Sequence, residues 1–293
     1  MVADEAQDFN MMMRRVATFT AALAIAANAF AQASNDAAAG AHVAAQKVSF
    51  KSDGLSLVGF LYKPEGDGPF PALIWNHGSE HHPEAGSQFD SVASIFVPAG
   101  YVVFAPVRRG HGGSEGTYIV DEIRIARLRG RDAAERTAVR LLESEQLADQ
   151  LAGLAYVKQL PFVDTGRIAV AGCSYGGIQT LLGAENSGAG YKAAVSLSPA
   201  ALSWDENLYL QRRLVEAAVR IHVPVLVLQP AEDPSLAPSR VLGKAAAQAG
   251  TPLTAKVYPK TGPRKAQGHC FGGAAGIHVW ADDAKAFLAA HLP

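Results

Sequence analysis

Short apolar runs alternate with amphipathic stretches along the chain from about Val43 onward. The runs are typical of β-strands and span residues 43–50, 56–62, 72–75, 101–104, 168–171, 193–197, 223–228 and 255–258. The stretches between them are typical of helices and span residues 89–99, 147–159, 177–185, 208–220, 238–249 and 279–292. The first two runs predict an antiparallel pair, and the other six predict buried parallel strands. We therefore expect an α/β fold with one doubly wound, mostly parallel sheet.

The interval between the runs at 101–104 and 168–171 is too long for a single crossover helix. Its residues 118–145 are unusually charged, because six arginines are interleaved with acids and with isoleucine, leucine and valine. We expect a helical insertion over residues 118–145 at the upper edge of the sheet. Such charge is typical of a solvent-exposed helix face, and a lid that binds substrate is the alternative.

The amino-acid composition is that of a globular protein. Of the 293 residues, 49% are hydrophobic and 18% are charged, which is too apolar for a disordered chain. The 26 basic residues nearly balance the 27 acidic ones, so net charge does not attract nucleic acid or an anionic membrane. We expect a globular protein whose partner is a small molecule, with no nucleic acid partner.

The first 33 residues have the pattern of a secretory signal peptide. Arg14 and Arg15 precede the uncharged, alanine-rich run 16–30, and residues 29–31 or 31–33 offer small side chains for cleavage. The acidic stretch before Met11 is unusual for such a segment and points to a start at one of the methionines 11–13. We expect residues 34–42 to be a linker and residues 43–293 to form the folded domain. The protein is then periplasmic or secreted, with no stable membrane span after cleavage.

Residues 172–177 read Gly-Cys-Ser-Tyr-Gly-Gly and lie between a predicted strand and a predicted helix. This context is the one that a Gly-x-Ser-x-Gly nucleophile elbow requires. The glycines permit a tight turn, which places the hydroxyl of Ser174 in an exposed position. The N-terminus of the following helix then favours a developing oxyanion. Ser174 is our candidate nucleophile.

A serine nucleophile needs a base and an acid that orients the base, and in this arrangement the acid precedes the histidine. Asp233 follows the strand predicted at 223–228 and is our candidate acid. Glu232 beside it and Asp205 after the preceding strand are the alternatives, and Asp233 in front of a proline is also typical of a turn.

Three histidines follow Asp233 in the sequence: His269, His278 and His291. His269 lies in a glycine-rich loop between the last predicted strand and the last predicted helix, where its side chain can reach back over the sheet. His278 and His291 lie at the two ends of that helix and are more typical of packing or surface residues. His269 is therefore our candidate base.

An oxyanion hole needs two backbone donors. The N–H of Tyr175, directly after the nucleophile, is one candidate, and the N–H of Ser79, in the loop after the first parallel strand, is the other. A metal site formed by His77, His81 and His82 is disfavoured, because no cysteine or acid has zinc-ligand spacing with them. We expect neither a metal nor a cofactor.

Together these motifs resemble the α/β-hydrolase superfamily, and within it the dienelactone-hydrolase-like and dipeptidyl-aminopeptidase-like serine hydrolases. The resemblance covers residues 43–293 and includes His77-Gly78, the Arg-Gly-His-Gly turn at 109–112, Gly172 to Gly177, Asp233 and His269. Two features depart from the pattern. Dienelactone hydrolases carry a cysteine where this chain has Ser174, and the acid usual before the turn is replaced by Val107 and Arg108. We assign Arg109 and His111 no catalytic role.

The two cysteines flank the candidate site, since Cys173 precedes Ser174 and Cys270 follows His269. The arrangement resembles the CS-D-HC motif of tannases and fungal feruloyl esterases, and this resemblance implies a disulfide between Cys173 and Cys270. The residues themselves leave open that each is a small buried apolar side chain.

The combined pattern predicts acyl transfer to water, in which Ser174 attacks an ester, His269 is the base and Asp233 orients it. The expected partner is a small-molecule ester. A serine peptidase of the dipeptidyl-aminopeptidase-like type is the alternative, although such peptidases generally carry a propeller domain for which residues 43–293 leave no room. A binding protein on an inactive scaffold predicts a missing triad residue, whereas all three residue types are present.

Overall fold

The computed structural model describes residues 44–186, 188–260 and 268–293. The predicted signal peptide at 1–33 and linker at 34–42 lie outside the described residues.

Eight strands form one sheet in the order β1-β2-β4-β3-β5-β6-β7-β8. The strands are β1 Gln46–Ser52, β2 Leu55–Tyr62, β3 Phe70–Asn76, β4 Val102–Pro106, β5 Val163–Cys173, β6 Ala193–Leu197, β7 Val225–Pro230 and β8 Leu253–Tyr258. β1 pairs with β2, and β2 with β4, in antiparallel register. All other pairings are parallel. The α/β fold with a doubly wound, mostly parallel sheet is therefore confirmed.

Helices connect the parallel strands and cover both faces of the sheet. They are α1 Gln88–Phe96, α2 Ile119–Arg127, α3 Arg131–Glu143, α4 Glu145–Val157, α5 Tyr175–Glu185, α6 Leu208–Arg220, α7 Ala237–Ala249 and α8 Ile277–His291. Two short 3-10 segments lie at Pro83–Ala85 and His269–Gly276. Within the described part of the chain, no helix is both long and apolar enough to cross a membrane.

Side chains alternate between the two faces of the central strands and fill one apolar layer on each face. Ile74 and Val170 pack into the layer beneath α4, α5 and α6, whereas Leu73 and Ala171 pack into the layer beneath α1 and α8. Every residue of β4 and β6 is buried, as expected for parallel strands covered on both faces.

β8 differs from its prediction as a buried strand. Its ends, Leu253 and Tyr258, are buried, but the four residues between them are exposed. The physical reason is position, because β8 is the last strand of the sheet and pairs with β7 alone. An apolar and β-branched composition is common to edge and central strands, so the sequence pattern does not separate them.

Helices α2 and α3 occupy the predicted insertion and are separated by Gly130 at φ +113°. Exposed ion pairs cover their surface, and each joins an arginine to a nearby acid: Arg124–Asp121, Arg131–Glu135, Arg136–Asp132 and Arg140–Glu145. These pairs favour the interpretation of a solvated helix face for most of the arginine-rich surface.

Candidate active site

The nucleophile turn connects β5, which ends at Cys173, to α5, which begins at Tyr175. Between them Ser174 has φ +59° and ψ −117°, a strained conformation for a residue with a side chain. The flanking glycines are required by space, because a Cβ on Gly172 would lie 2.5 Å, and one on Gly176 1.9 Å, from the Asn76 carbonyl oxygen. The predicted Gly-x-Ser-x-Gly motif therefore folds as a tight strand-to-helix turn.

Asp233 and His269 are in direct contact. Asp233 lies in the loop after β7, is 5% exposed, and its Oδ1 lies 2.7 Å from His269 Nδ1. A carboxylate accepts, so the imidazole Nδ1–H is the donor, and in the neutral ring Nε2 then carries the lone pair. The structure thus brings together the predicted acid and the predicted base in the tautomer that general-base catalysis needs.

A disulfide joins Cys173 to Cys270 across 97 residues, with the two Cα atoms 5.9 Å apart. The pairing that the family resemblance implies is therefore present, and it connects the residue before Ser174 to the residue after His269. The histidine segment is unusual, because Cys270 and Phe271 have φ of +53° and +59°. Left-handed backbone at two non-glycine residues is unfavourable, and the first of the two is the residue that carries the disulfide.

The serine–histidine hydrogen bond of a resting triad is not formed in this structure. Among the described residues, the buried Nε2 of His269 and the buried Oδ2 of Asp233 have no hydrogen-bond partner. His269 Nε2 therefore does not accept a hydrogen bond from Ser174. Such contacts often tighten only when substrate binds, and the free lone pair of Nε2 is the atom that would receive the serine proton.

The alternative acids and bases lie elsewhere. Asp205 is exposed, and His278 and His291 are exposed on α8. Glu232 is 3% exposed and packs against the histidine segment, because a Cβ on Gly268 would lie 2.2 Å from the Glu232 Cβ. Asp233 is the acid whose carboxylate lies within hydrogen-bond distance of His269 Nδ1.

The loop that carries Ser79 packs directly against the nucleophile turn. A Cβ on Gly176 would lie 2.8 Å from the carbonyl oxygen of His77 in this loop, in addition to its overlap with the Asn76 carbonyl oxygen. Ser79 is half-buried, and its own carbonyl oxygen accepts a hydrogen bond of 2.5 Å from the Tyr118 hydroxyl. The assignment of the Ser79 and Tyr175 N–H groups as oxyanion donors stays a prediction.

His77 belongs to the framework of this loop. Its Nε2 accepts the backbone N–H of Arg108 at 3.1 Å, so its Nδ1–H donates to the Gly78 carbonyl oxygen at 2.9 Å. Burial, together with the charge of Arg108, holds the pKa of His77 well below its ordinary value, and the ring is neutral. Within the described ranges, no group of three or more His, Cys, Asp or Glu side chains converges to hold a metal ion.

Sequence reasoning missed the ion pair that fixes the Arg-Gly-His-Gly turn. The acid comes from α4, where fully buried Asp149 contacts Arg109 at 2.7 Å and also accepts its backbone N–H at 2.8 Å. The signal in the sequence was the spacing of Gln146, Asp149 and Gln150, which puts three polar residues on the buried face of that helix.

Sequence reasoning also missed Arg108, whose side chain is fully buried. Its guanidinium donates to the carbonyl oxygens of His77 and Gly78 at 2.8 and 2.6 Å, and to the side chain of Gln146 at 2.9 Å. Nothing in the apolar pattern distinguishes this arginine from an exposed one.

Three structural comparisons place this architecture among known folds. The chain is similar to an acylaminoacyl peptidase of Pyrococcus horikoshii, with a TM-score of 0.64 and 19% identity over 86% of this chain and 42% of that one. It is similar to dipeptidyl peptidase 4 of Porphyromonas gingivalis, with a TM-score of 0.63 and 19% identity over 86% and 36% of the two chains. An esterase of Pyrococcus furiosus matches with a TM-score of 0.62 and 15% identity over 86% and 94%.

The chain therefore spans less than half the length of these two peptidases and corresponds to nearly the whole length of the esterase. At such identities the similarity establishes the fold. A comparison of the sequence with curated proteins gave no significant match.

The family assignment comes from the sequence itself. The model of the X-Pro dipeptidyl-peptidase family, also called S15, matches residues 53–267, a range that includes the nucleophile turn and Asp233. The predicted resemblance to α/β-hydrolase-fold serine hydrolases is confirmed. The chain belongs to the X-Pro dipeptidyl-peptidase (S15) family and is a serine hydrolase of the α/β-hydrolase type.

Proposed function

We propose that this chain hydrolyses carboxylic esters through an acyl-enzyme intermediate on Ser174, with His269 as base and Asp233 as orienting acid. The observation that carries the proposal is the contact of 2.7 Å between Asp233 and His269. This pair is tethered by the disulfide to a serine held at φ +59°. The residues that we propose as nucleophile, base and acid are thus connected by one hydrogen bond and one disulfide.

In the proposed reaction, Ser174 Oγ attacks the ester carbonyl carbon while its proton moves to His269 Nε2. Asp233 stabilises the resulting imidazolium through Nδ1–H. The N–H groups of Tyr175 and Ser79 bind the oxyanion of the tetrahedral intermediate. The C–O bond to the alcohol breaks as the alcohol oxygen takes the proton from Nε2, and water then releases the acid by the same steps.

Esters are our first choice of substrate, and an esterase of Pyrococcus furiosus shares this fold. Ester hydrolysis also demands less of the site, since an alcohol is a better leaving group than an amine.

A second candidate function is removal of X-Pro dipeptides, which the match to the S15 family over residues 53–267 favours. The proposed machinery serves both reactions, and only the leaving group differs. The two functions are therefore distinguished by substrate and not by triad geometry.

The test is a matched substrate panel with residues 34–293 as the protein. Nitrophenyl esters of increasing acyl length, phenolic methyl esters and X-Pro anilides are assayed with the wild type and with Ser174→Ala. We expect kcat/KM on at least one ester to exceed that on every anilide, and Ser174→Ala to abolish both. Faster cleavage of an X-Pro anilide than of every ester would replace the ester proposal with the peptidase.

A further inference from the structure

Arg108 is a buried cation whose hydrogen bonds go mainly to backbone. Its Nη1 and Nη2 donate to two consecutive carbonyl oxygens, those of His77 and Gly78, at 2.8 and 2.6 Å. Its Nε donates to Gln146, which holds the guanidinium from the opposite side at 2.9 Å. A full positive charge is therefore placed against the loop that precedes Ser79.

The Gly78 carbonyl oxygen accepts two hydrogen bonds. One comes from Arg108, and the other comes from the Nδ1–H of His77 at 2.9 Å. The neutral tautomer of His77 is set by the backbone N–H of Arg108, which donates to Nε2. Arg108 thus acts on the same carbonyl directly, through its guanidinium, and indirectly, through the histidine.

The direction of a carbonyl determines the direction of the next N–H. In a trans peptide the C=O of Gly78 and the N–H of Ser79 point in opposite directions in one plane. Two donors that hold the Gly78 oxygen therefore also aim the Ser79 N–H away from Arg108. A cation on the oxygen polarises the peptide and makes its N–H a stronger donor.

The far side of the same residue is held as well. The hydroxyl of Tyr118, at the start of the helical insertion, donates to the Ser79 carbonyl oxygen at 2.5 Å. The loop lies directly on the nucleophile turn, where a Cβ on Gly176 would overlap the Asn76 carbonyl. Both neighbouring peptides of Ser79 are thus fixed beside the reacting serine.

Arg108 keeps its charge in this position. Burial lowers the pKa of Arg108 to about 10, and the carboxylates of Asp149 and Glu80 act in the opposite direction. The guanidinium is thus protonated at neutral pH, and the polarisation of the Gly78–Ser79 peptide is permanent.

We propose that Arg108 is a positioning residue for the oxyanion hole, which orients and polarises the Gly78–Ser79 peptide so that the Ser79 N–H stabilises the transition state. The inference rests on the proposed function, since the Ser79 N–H is an oxyanion donor only in that reaction. Arg108 itself is fully buried and does not touch substrate.

The experiment compares Arg108→Met with Arg109→Met. Both changes remove a guanidinium from the same segment, but among the described residues the Arg109 side chain donates its hydrogen bonds to Asp149, Asp53 and Ser52 and not to the loop. For each variant we measure Tm, kcat, KM and the Ki of a boronic acid whose tetrahedral adduct carries a negatively charged oxygen. Arg108→Lys keeps the charge without the fork that reaches both carbonyls, and it replaces Arg108→Met if the latter does not fold.

Removing an oxyanion donor outright lowers kcat by about 10²–10³-fold. Misplacing a donor should cost less, so we expect kcat of Arg108→Met to fall about 10- to 100-fold and the boronate Ki to rise by a similar factor. KM should stay within about twofold of the wild type. Arg108→Lys should show at least a threefold rise in Ki. Arg109→Met should lower Tm and leave Ki within twofold of the wild type.

Three results separate the outcomes. A folded Arg108→Met, or in its place Arg108→Lys, with wild-type kcat and boronate Ki would overturn the positioning role. Equal rises of Ki in the Arg108 and Arg109 variants would also overturn it, because a general loss of stability would then explain both. An inactive wild type, or full activity in Ser174→Ala, would instead overturn the proposed function.

Discussion

Removing the Cys173–Cys270 disulfide tests whether the bond maintains the active-site geometry as well as the stability of the fold. The perturbation is the double variant Cys173→Ser/Cys270→Ser, compared with the wild type before and after reduction. Cys173 is 2% exposed and Cys270 is half-buried, so reduction of the wild type can be incomplete, whereas the double variant lacks the bond from the start.

The expected loss of stability follows from the chain length between the cysteines. The bond closes a segment with a sequence separation of 97, and closing about 100 residues corresponds to about 4.7 kcal/mol in the chain-entropy model. Measured values are usually about 2–4 kcal/mol. For a domain of this size, that loss lowers Tm by roughly 5–15 °C.

The catalytic effect has a local origin. Cys270 and Phe271 have left-handed backbone, which costs roughly 1–2 kcal/mol for each residue. Without the tether, this segment relaxes toward ordinary backbone and moves His269 relative to Ser174. Since about 1 Å of misplacement costs on the order of 10²-fold, we expect kcat to fall about 10- to 100-fold while KM stays within about twofold.

Three measurements check this reasoning. Thiol titration of the unreduced, denatured wild type should find no free thiol, thermal unfolding gives Tm, and ester hydrolysis gives kcat and KM. The double variant is its own control for the reductant, because its Tm and kcat should not respond to it. Two free thiols in the unreduced wild type, or a double variant with wild-type Tm and kcat, would refute the structural role of the bond.

Ser174→Ala and His269→Ala should each abolish hydrolysis with Tm nearly unchanged, whereas His278→Ala should keep full activity; loss of activity in the last variant alone would identify a different base. Asp149→Asn should destabilise the fold by about 3 kcal/mol, because it leaves a largely buried arginine without its carboxylate, and an unchanged urea midpoint would contradict this. Burial lowers the pKa of His111 to about 3 in the folded protein. As the pH falls below about 6.5, His111 therefore becomes protonated in the unfolded chain and not in the folded one. The free energy of unfolding should then fall by about 1.4 kcal/mol per pH unit for this residue, and His111→Gln should flatten the dependence of Tm on pH; parallel curves would exclude the effect.

The fold and the geometry of the candidate site could be predicted because each follows from short-range sequence features. Apolar runs of four to six residues indicate the parallel strands, and a glycine on each side of Ser174 has a local steric cause in the Asn76 carbonyl. The order of acid and histidine in this fold then selected Asp233 and His269. Their contact depends on topology that the strand pattern already implies.

The supporting residues could not be predicted in the same way, because their roles depend on contacts between distant segments. Asp149 reaches Arg109 only after α4 packs against the β4 end of the sheet, and nothing near either residue in sequence indicates the pair. The exposure of β8 likewise depends on sheet order, which places it at the edge. Local pattern specifies elements, whereas partners and edges are decided by how the elements assemble.

The periodicity of helix α4 nevertheless indicates a buried polar network. A helix that packs on a sheet normally shows apolar side chains on its inner face, yet α4 places Gln146, Asp149 and Gln150 there. Gln146 holds Arg108, and Gln150 accepts from the Asn76 side chain at 3.1 Å, so both lie behind the loop that carries Ser79. Asp149 instead holds Arg109 in the neighbouring Arg-Gly-His-Gly turn. Burying such groups is costly unless they are paired, so polar residues at positions i, i+3 and i+4 of an otherwise apolar face indicate a network. In this molecule Gln146 and Gln150 support the loop of the proposed oxyanion hole, whereas Asp149 stabilises the turn beside it.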